Sequence, residues 1–172
     1  MNATTDLRLA PARRGDLPRI AALARTAIEA GLGHAWTETR LGRSLRHPET
    51  MVLVAHARAP VPPAELGTAF AFAGFGIMFY GDSRAHLNLL GVEPRFRRLG
   101  IGRRILRWLE RSALEAGTFE VGLELRAANG AAQAFYRALG YEPAGRVPGY
   151  YEGVEDALRM RRDLRATPAG RP

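Results

Sequence analysis

Between Ala85 and Ala116 the chain reads AHLNLLGVEPRFRRLGIGRRILRWLERSALEA. An apolar run (Leu87, Leu89, Leu90, Val92) stops at Glu93-Pro94, and a basic loop follows with Arg95, Arg97, Arg98, Gly100 and Gly102. Ile101, Ile105, Leu109 and Ala113 then recur every fourth residue, widened by Leu106 and Trp108, which predicts an amphipathic helix. Strand, loop and helix come in that order, with glycines at the helix start. Such a start presents amides that lack intrahelical partners, and the helix dipole adds positive charge there. Glycines admit close approach to the backbone, and arginines add charge-assisted hydrogen bonds to phosphate oxygens. The stretch predicts a site for a ligand bearing a pyrophosphate.

Two common phosphate loops do not fit. No lysine follows Gly102, as Gly-x-x-x-x-Gly-Lys-Ser/Thr would require. Arg103, Arg104 and Ile105 follow Gly102, so Gly-x-Gly-x-x-Gly is not completed either.

A length of 172 residues suits one domain with a sizeable core, expected over residues 1–164, with a flexible tail over 165–172. There is no cysteine, which excludes disulfides, thiolate metal sites and a cysteine nucleophile. The histidines His34, His47, His56 and His86 show no ligand spacing, so no metal is expected. No apolar run approaches a membrane span, and the N-terminus shows no secretory segment, so a cytoplasmic location is expected. The net charge of +8 favours an anionic partner, which coenzyme phosphates would satisfy.

Along the chain, Leu7 to Ala10 predicts a strand, and Asp16 is placed to cap a helix reaching about Ala30. Thr37 is placed to cap a second helix through Leu45. Gly31 to Trp36 is a loop where Trp36 either lines a substrate pocket or plugs the core. Met51 to Ala57 and Thr68 to Tyr80 predict strands, separated by a stiff segment with Pro60, Pro62 and Pro63. Phe119, Val121, Leu123 and Leu125 alternate with Glu120, Gly122, Glu124 and Arg126, predicting a strand with one polar face. Asn129 is placed to cap a helix through Leu139, Tyr141 opens another strand, and Ala157 to Leu164 is the last.

The run Val92-Glu93-Pro94, then Arg97-x-x-Gly100-x-Gly102, between an apolar strand and an amphipathic helix, resembles the acetyl-CoA loop of the GNAT N-acetyltransferases. The resemblance extends to Leu123-Glu124-Leu125-Arg126-Ala127-Ala128-Asn129, to Ala134-Phe135-Tyr136, and to the closing Tyr150-Tyr151. It is strongest with the branch that acetylates the N-terminal alanine of a small-subunit ribosomal protein. It implies an α/β (α+β) acyl-CoA N-acyltransferase fold: a mixed, mostly antiparallel sheet, helices on both faces, splayed at the central strands.

Site roles follow from the same resemblance. Arg97, Arg98, Leu99, Gly100, Ile101, Gly102 and Arg103 would take the coenzyme phosphates. Leu90, Gly91 and Val92 would line the pantetheine arm and polarise the acetyl carbonyl, and Asn129 would bond the arm. Glu124 would take the proton of the acceptor amine, directly or through a water, and Tyr136 would protonate the departing thiolate. Trp36, Tyr150 and Tyr151 would contact the acceptor. Read from pattern alone, Glu124 could be an ion-paired strand residue, Tyr136 a core tyrosine and Asn129 a plain helix cap.

The acceptor is the open point. A protein N-terminal α-amine is the first reading; a small-molecule amine or a lysine side chain is the second. The branch usually has two adjacent basic residues before its tyrosine pair, whereas this chain has Arg146-Val147-Pro148-Gly149. The acids Glu29, Glu38, Glu65, Asp82 and Glu152 are scattered and mark no cationic pocket. An acyl-CoA sensor would not need Glu124 and Tyr136. A nucleic-acid-binding module would interleave basic and aromatic residues on one surface, but the arginines concentrate around the glycine loop. A homodimer is compatible with the sequence, and a membrane partner is not expected.

Overall fold

The structure, a computed structural model, describes residues 6–33, 35–58 and 70–166. Its elements are β1 (Leu7–Pro11), α1 (Leu17–Ala27), α2 (Glu38–Arg46), β2 (Thr50–Arg58), β3 (Phe70–Tyr80), β4 (Ala85–Val92), α3 (Ile101–Glu115), β5 (Glu120–Arg126), α4 (Gly130–Ala138), β6 (Glu142–Tyr151) and β7 (Glu155–Asp163). Short 3₁₀ turns precede α1 at Arg14–Asp16 and α3 at Pro94–Phe96. The order of elements is the one the sequence predicts. The seven strands hydrogen-bond in the order β1-β2-β3-β4-β5-β7-β6. The β4–β5 pair is parallel, whereas β1–β2, β5–β7 and β6–β7 are antiparallel. The proline segment at 59–63, His34 and residues 167–172 lie outside the described residues. Contacts group the chain into two compact units, Met1–Met78 with Leu89–Leu109, and Phe79–Asn88 with Glu110–Pro172.

In the first unit, β1 pairs with β2 from Leu7↔Ala57 to Pro11↔Leu53. The apolar stripe of α1 (Leu17, Ile20, Ala21, Leu23, Ala24) is buried and joins Leu41, Val52, Val54, Phe72, Phe75, Ile77 and Leu89 in one core. Each such Leu, Ile, Val or Phe contributes about 1.5–3 kcal/mol by leaving water. The Thr37 hydroxyl caps α2 as predicted, accepting the Arg40 amide at 3.3 Å. Asp16 stands at the start of α1 but makes no side-chain cap; its carboxylate instead accepts the Arg13 amide at 2.7 Å. The intervening 3₁₀ turn explains this, because it points Asp16 backward. Helix α1 ends at Ala27, a turn earlier than expected.

Two glycines of one β3 face admit close neighbours, Gly76 the helix α3 and Gly74 the backbone at the end of β4. A Cβ at Gly76 would sit 2.7 Å from Ile105 and 2.8 Å from Leu109. A Cβ at Gly74 would sit 2.5 Å from the Gly91 carbonyl oxygen and 3.2 Å from the Val92 Cα. The obstacle at Gly74 is backbone, which cannot swing aside. We expect Gly74→Ala to lower stability by about 1–3 kcal/mol, the usual cost of overpacking. Urea unfolding should show a lower midpoint at an unchanged slope; an unmoved midpoint would refute the contact.

In the second unit, β4 pairs with β5 at Ala85↔Val121 and His86↔Gly122. Strand β5 pairs fully with β7, from Glu120↔Asp163 to Arg126↔Ala157. Register shifts interrupt β6–β7 between Pro143 and Gly145 and between Val147 and Tyr151. Strand β6 is an edge, where its prolines, Pro143 and Pro148, are tolerated. Val121, Leu123 and Leu125 are buried as the alternation predicts, but Phe119 is 42% exposed and carries the Arg165 guanidinium 5.2 Å from its ring. The strand begins at Glu120, so its pleat does not orient Phe119. Arg165 itself is tied to Asp163 at 3.0 Å. Within this core, Arg162 Nη1 donates to both oxygens of the buried Glu110 at 2.9 and 2.8 Å, and the Tyr141 hydroxyl donates to the same carboxylate at 2.9 Å.

Candidate active site

In the first unit the predicted phosphate loop runs from the end of β4 into α3. The Glu93 amide donates to the Ala73 carbonyl at 2.9 Å, which fixes the strand end. Phe96 is fully buried and anchors the loop from below, with the Arg95 guanidinium 5.0 Å from its ring. Arg97 turns back so that its Nε donates to the Val92 carbonyl at 3.3 Å. Arg98 and Gly100 both have left-handed backbone, at φ 66° and 75°. For arginine this conformation costs about 1–2 kcal/mol, and such turns make concave, anion-accepting backbone. A Cβ at Gly100 would meet nothing within 4 Å, so the loop faces open space. The Arg104 amide closes the first helical bond to Gly100 at 3.1 Å. The amides of Ile101, Gly102 and Arg103 stand ahead of that bond, where an anion can take them. Arg97, Arg98, Leu99 and Arg103 are exposed around them. These groups fit a pyrophosphate. Leu90 and Val92 are half-buried, whereas Gly91 is buried against Phe75, where a Cβ would lie 2.8 Å from the ring.

Trp36 sits half-buried on the core of the same unit, beneath the Arg40 guanidinium at 4.1 Å. The loop before it is held by Glu29, which is buried and accepts the Ala35 and Trp36 amides at 2.8 and 3.2 Å. Glu29 thus organises this loop. Sequence reading counted it among the scattered acids; its place one turn past the apolar stripe of α1 was the available signal.

In the second unit the polar face of β5 forms a cluster. Glu124 Oε1 accepts from Arg159 Nε at 3.1 Å, and Glu124 Oε2 stands 3.0 Å from His86 Nε2. Glu124 lies directly opposite Arg159 in the β5–β7 register. The Glu124 side chain is 15% exposed. Sequence reading missed His86 and Arg159, because neither shows as a neighbour until the strands are paired. Arg126 reaches Glu155 at 3.5 Å and lies 5.9 Å from the Tyr151 ring.

Tyr136, on α4, is buried between Phe135 and Tyr141, with ring centroids at 5.1 and 5.5 Å. Burial, and then the nearby Tyr151, hold its pKa well above the ordinary phenol value, so it remains a proton donor. Tyr151 is pushed up to about 12 by burial, then by Tyr150 and Glu124. Tyr151 is thus coupled on one side to Tyr136 and on the other to Glu124. Tyr150 stacks edge-on to Tyr151 at 5.0 Å and is itself exposed. Asn129 caps α4 as predicted, its Oδ1 accepting the Ala132 amide at 3.0 Å.

Raised phenol pKa values set a sign for alkaline stability. The folded chain keeps the protons of Tyr136 and Tyr151 where the unfolded chain releases them. That contribution is intact below about pH 10, the unfolded value, and is lost as pH rises through the folded values. The urea midpoint should therefore fall as pH rises from about 10 toward 12, and fall less in Tyr136→Phe. An equal fall in wild type and variant would refute the assignment.

Among the described residues no cluster of His, Asp and Glu could hold a metal, and no helix is long and apolar enough to cross a membrane.

Comparison with known proteins agrees with this geometry. The chain is 39% identical over 83 residues to the N-terminal acetyltransferase B complex catalytic subunit naa20 of Schizosaccharomyces pombe, covering 46% of each chain. It is 37% identical over 91 residues to the [ribosomal protein bS18]-alanine N-acetyltransferase of Salmonella typhimurium, covering 51% of this chain and 62% of that one. The matches thus span about half to three-fifths of these relatives. The solved ribosomal-protein-S18-alanine N-acetyltransferase of Escherichia coli shares the fold at a TM-score of 0.72 and 23% identity, covering 96% of this chain and 99% of that chain. Arabidopsis thaliana NAA60, solved with acetyl-CoA, superposes at 0.76 with 16% identity, covering 93% of this chain and 99% of that one. The profile described as Acetyltransferase (GNAT) family matches residues 34–141, more than half of the chain and inclusive of the glycine loop, Glu124 and Tyr136. By that match the chain belongs to the acetyltransferase (GNAT) family.

Proposed function

We propose that the chain is an acetyl-CoA-dependent N-acetyltransferase whose acceptor is a protein N-terminal α-amine, acting in the cytoplasm. The observation that carries the reading is the loop from Arg97 to Arg103: two left-handed residues turn it onto the unpaired amides of α3, with arginines around them. Acetyl-CoA brings an activated thioester and a pyrophosphate for that loop to hold. The amide of Val92 or a neighbour donates to the carbonyl oxygen as it gains charge. The amine nitrogen bonds to the carbonyl carbon and the carbon–sulfur bond breaks. Glu124 takes one proton from the ammonium before attack; the Tyr136 hydroxyl protonates the departing thiolate, and the second proton, lost from nitrogen as the amide forms, returns to the Tyr136 oxygen. Asn129 binds the coenzyme arm through its amide nitrogen, and Tyr150 and Tyr151 contact the acceptor peptide.

The α-amine is favoured because naa20, named for N-terminal acetylation, and an enzyme named for an alanine of ribosomal protein bS18 match the chain in sequence. The test is release of CoA from acetyl-CoA with a basic peptide bearing a free N-terminal alanine. The same peptide with a blocked N-terminus is the control. Release with the free terminus alone is expected. Equal release with both, or release only with small amines, would overturn the α-amine assignment.

A further inference from the structure

A carboxylate that accepts a proton in every turnover must lose it before the next. Glu124 is poorly placed to do so alone, since its side chain is only 15% exposed and Oε1 is held by Arg159, which has no acceptor atom. Its other oxygen meets His86. On β4 the residues Ala85, Leu87 and Leu89 are buried, which turns His86 to the opposite face. The register His86↔Gly122 puts the imidazole on the face that carries Glu124, two residues farther along β5. His86 Nε2 is 3.0 Å from Glu124 Oε2, and the imidazole is 37% exposed. Gly122, directly opposite, has no side chain, and a Cβ there would meet only the Met160 carbonyl at 3.9 Å. Water can therefore reach the ring over Gly122.

On the acetyltransferase reading above, we propose that His86 is the relay through which Glu124 discharges its proton. The acceptor ammonium loses a proton to Glu124. In the resting state Nε2–H donates to the carboxylate; once Glu124 is protonated, exchange with water moves the ring proton to Nδ1, the carboxylic acid passes its proton from Oε2 to Nε2, and the Nδ1 proton leaves to water, which restores the Nε2–H form. Imidazole suits this step because it takes a proton at one nitrogen and gives one up at the other near neutral pH. His86 acts through Glu124 and does not touch the reacting atoms, so it is a positioning and relay residue.

The test uses the full chain with saturating acetyl-CoA and peptide in dilute buffer. His86→Ala and His86→Gln should both lower kcat by about tenfold or more, with little change in KM. Glutamine can still hydrogen-bond to Glu124 but cannot carry the proton. Added free imidazole should restore the rate of His86→Ala in proportion to its concentration and should do nothing for Glu124→Gln. Full activity in His86→Gln would overturn the relay. So would a loss in His86→Ala that imidazole does not relieve, since that would mark a purely structural residue. A wild-type chain inactive on every amine would overturn the acetyltransferase reading and the relay with it, whereas an active wild type with unaffected His86 variants overturns the relay alone.

Discussion

Glu124→Gln should lower kcat/KM by about 10²–10⁴-fold, the usual contribution of a positioned general base. Acetyl-CoA affinity should remain that of wild type, because the phosphate loop is built from Arg97 to Arg103. Glutamine preserves the length and shape of the side chain and one acceptor oxygen, but not the capacity to take the ammonium proton. It also sets an N–H group against one of the two donors now satisfied, Arg159 at 3.1 Å or His86 at 3.0 Å. Arg159 is half exposed and can turn to water, so the fold tolerates that change. Steady-state kinetics with a free-amine peptide, beside calorimetric binding of acetyl-CoA, checks both halves. Near wild-type turnover would show that the Glu124 carboxylate is an ion-paired strand residue and that the base lies elsewhere.

The second large effect is on stability. Glu110→Ala should destabilise the chain by about 3–5 kcal/mol, the range for breaking a buried ion pair from one side. Arg162 would be left charged with its side chain only 14% exposed, and the Tyr141 hydroxyl would lose its acceptor. The same carboxylate helps hold the Tyr141 pKa well above the ordinary phenol value, second to burial. Changing all three groups together, as Glu110→Met, Arg162→Met and Tyr141→Phe, should recover part of the loss, because Arg162 and the Tyr141 hydroxyl are then no longer stranded. Denaturant unfolding measures both. A cost in Glu110→Ala below about 1 kcal/mol would mean that water already serves the pair.

Local signals that act within one element were legible in the sequence. The loop from Arg97 to Gly102 announces itself by residue type, because only glycine and strong donors serve a phosphate. The Thr37 and Asn129 caps, the α3 stripe and the β5 alternation are likewise set within a few residues. What escaped the sequence depends on pairing across strands or on contact at a distance. His86 becomes a neighbour of Glu124 only through the register with Gly122. Glu110 reads as an acid beside the α3 stripe, but its partner Arg162 is 52 residues away. Gly74 and Gly76, two apart on one strand, are the mark of close neighbours on that face, and they read from sequence merely as interruptions of an apolar run. Asp16 shows the reverse error: a good capping residue whose carboxylate went to Arg13 once a 3₁₀ turn formed.

The most direct measurement is to locate the product. A peptide with both a free N-terminal alanine and an internal lysine is incubated with the chain and acetyl-CoA, then fragmented in a mass spectrometer. The account predicts one added acetyl group, on the α-nitrogen. An acetyl group on the lysine side chain, or no acetylated peptide while acetyl-CoA still binds, would contradict it.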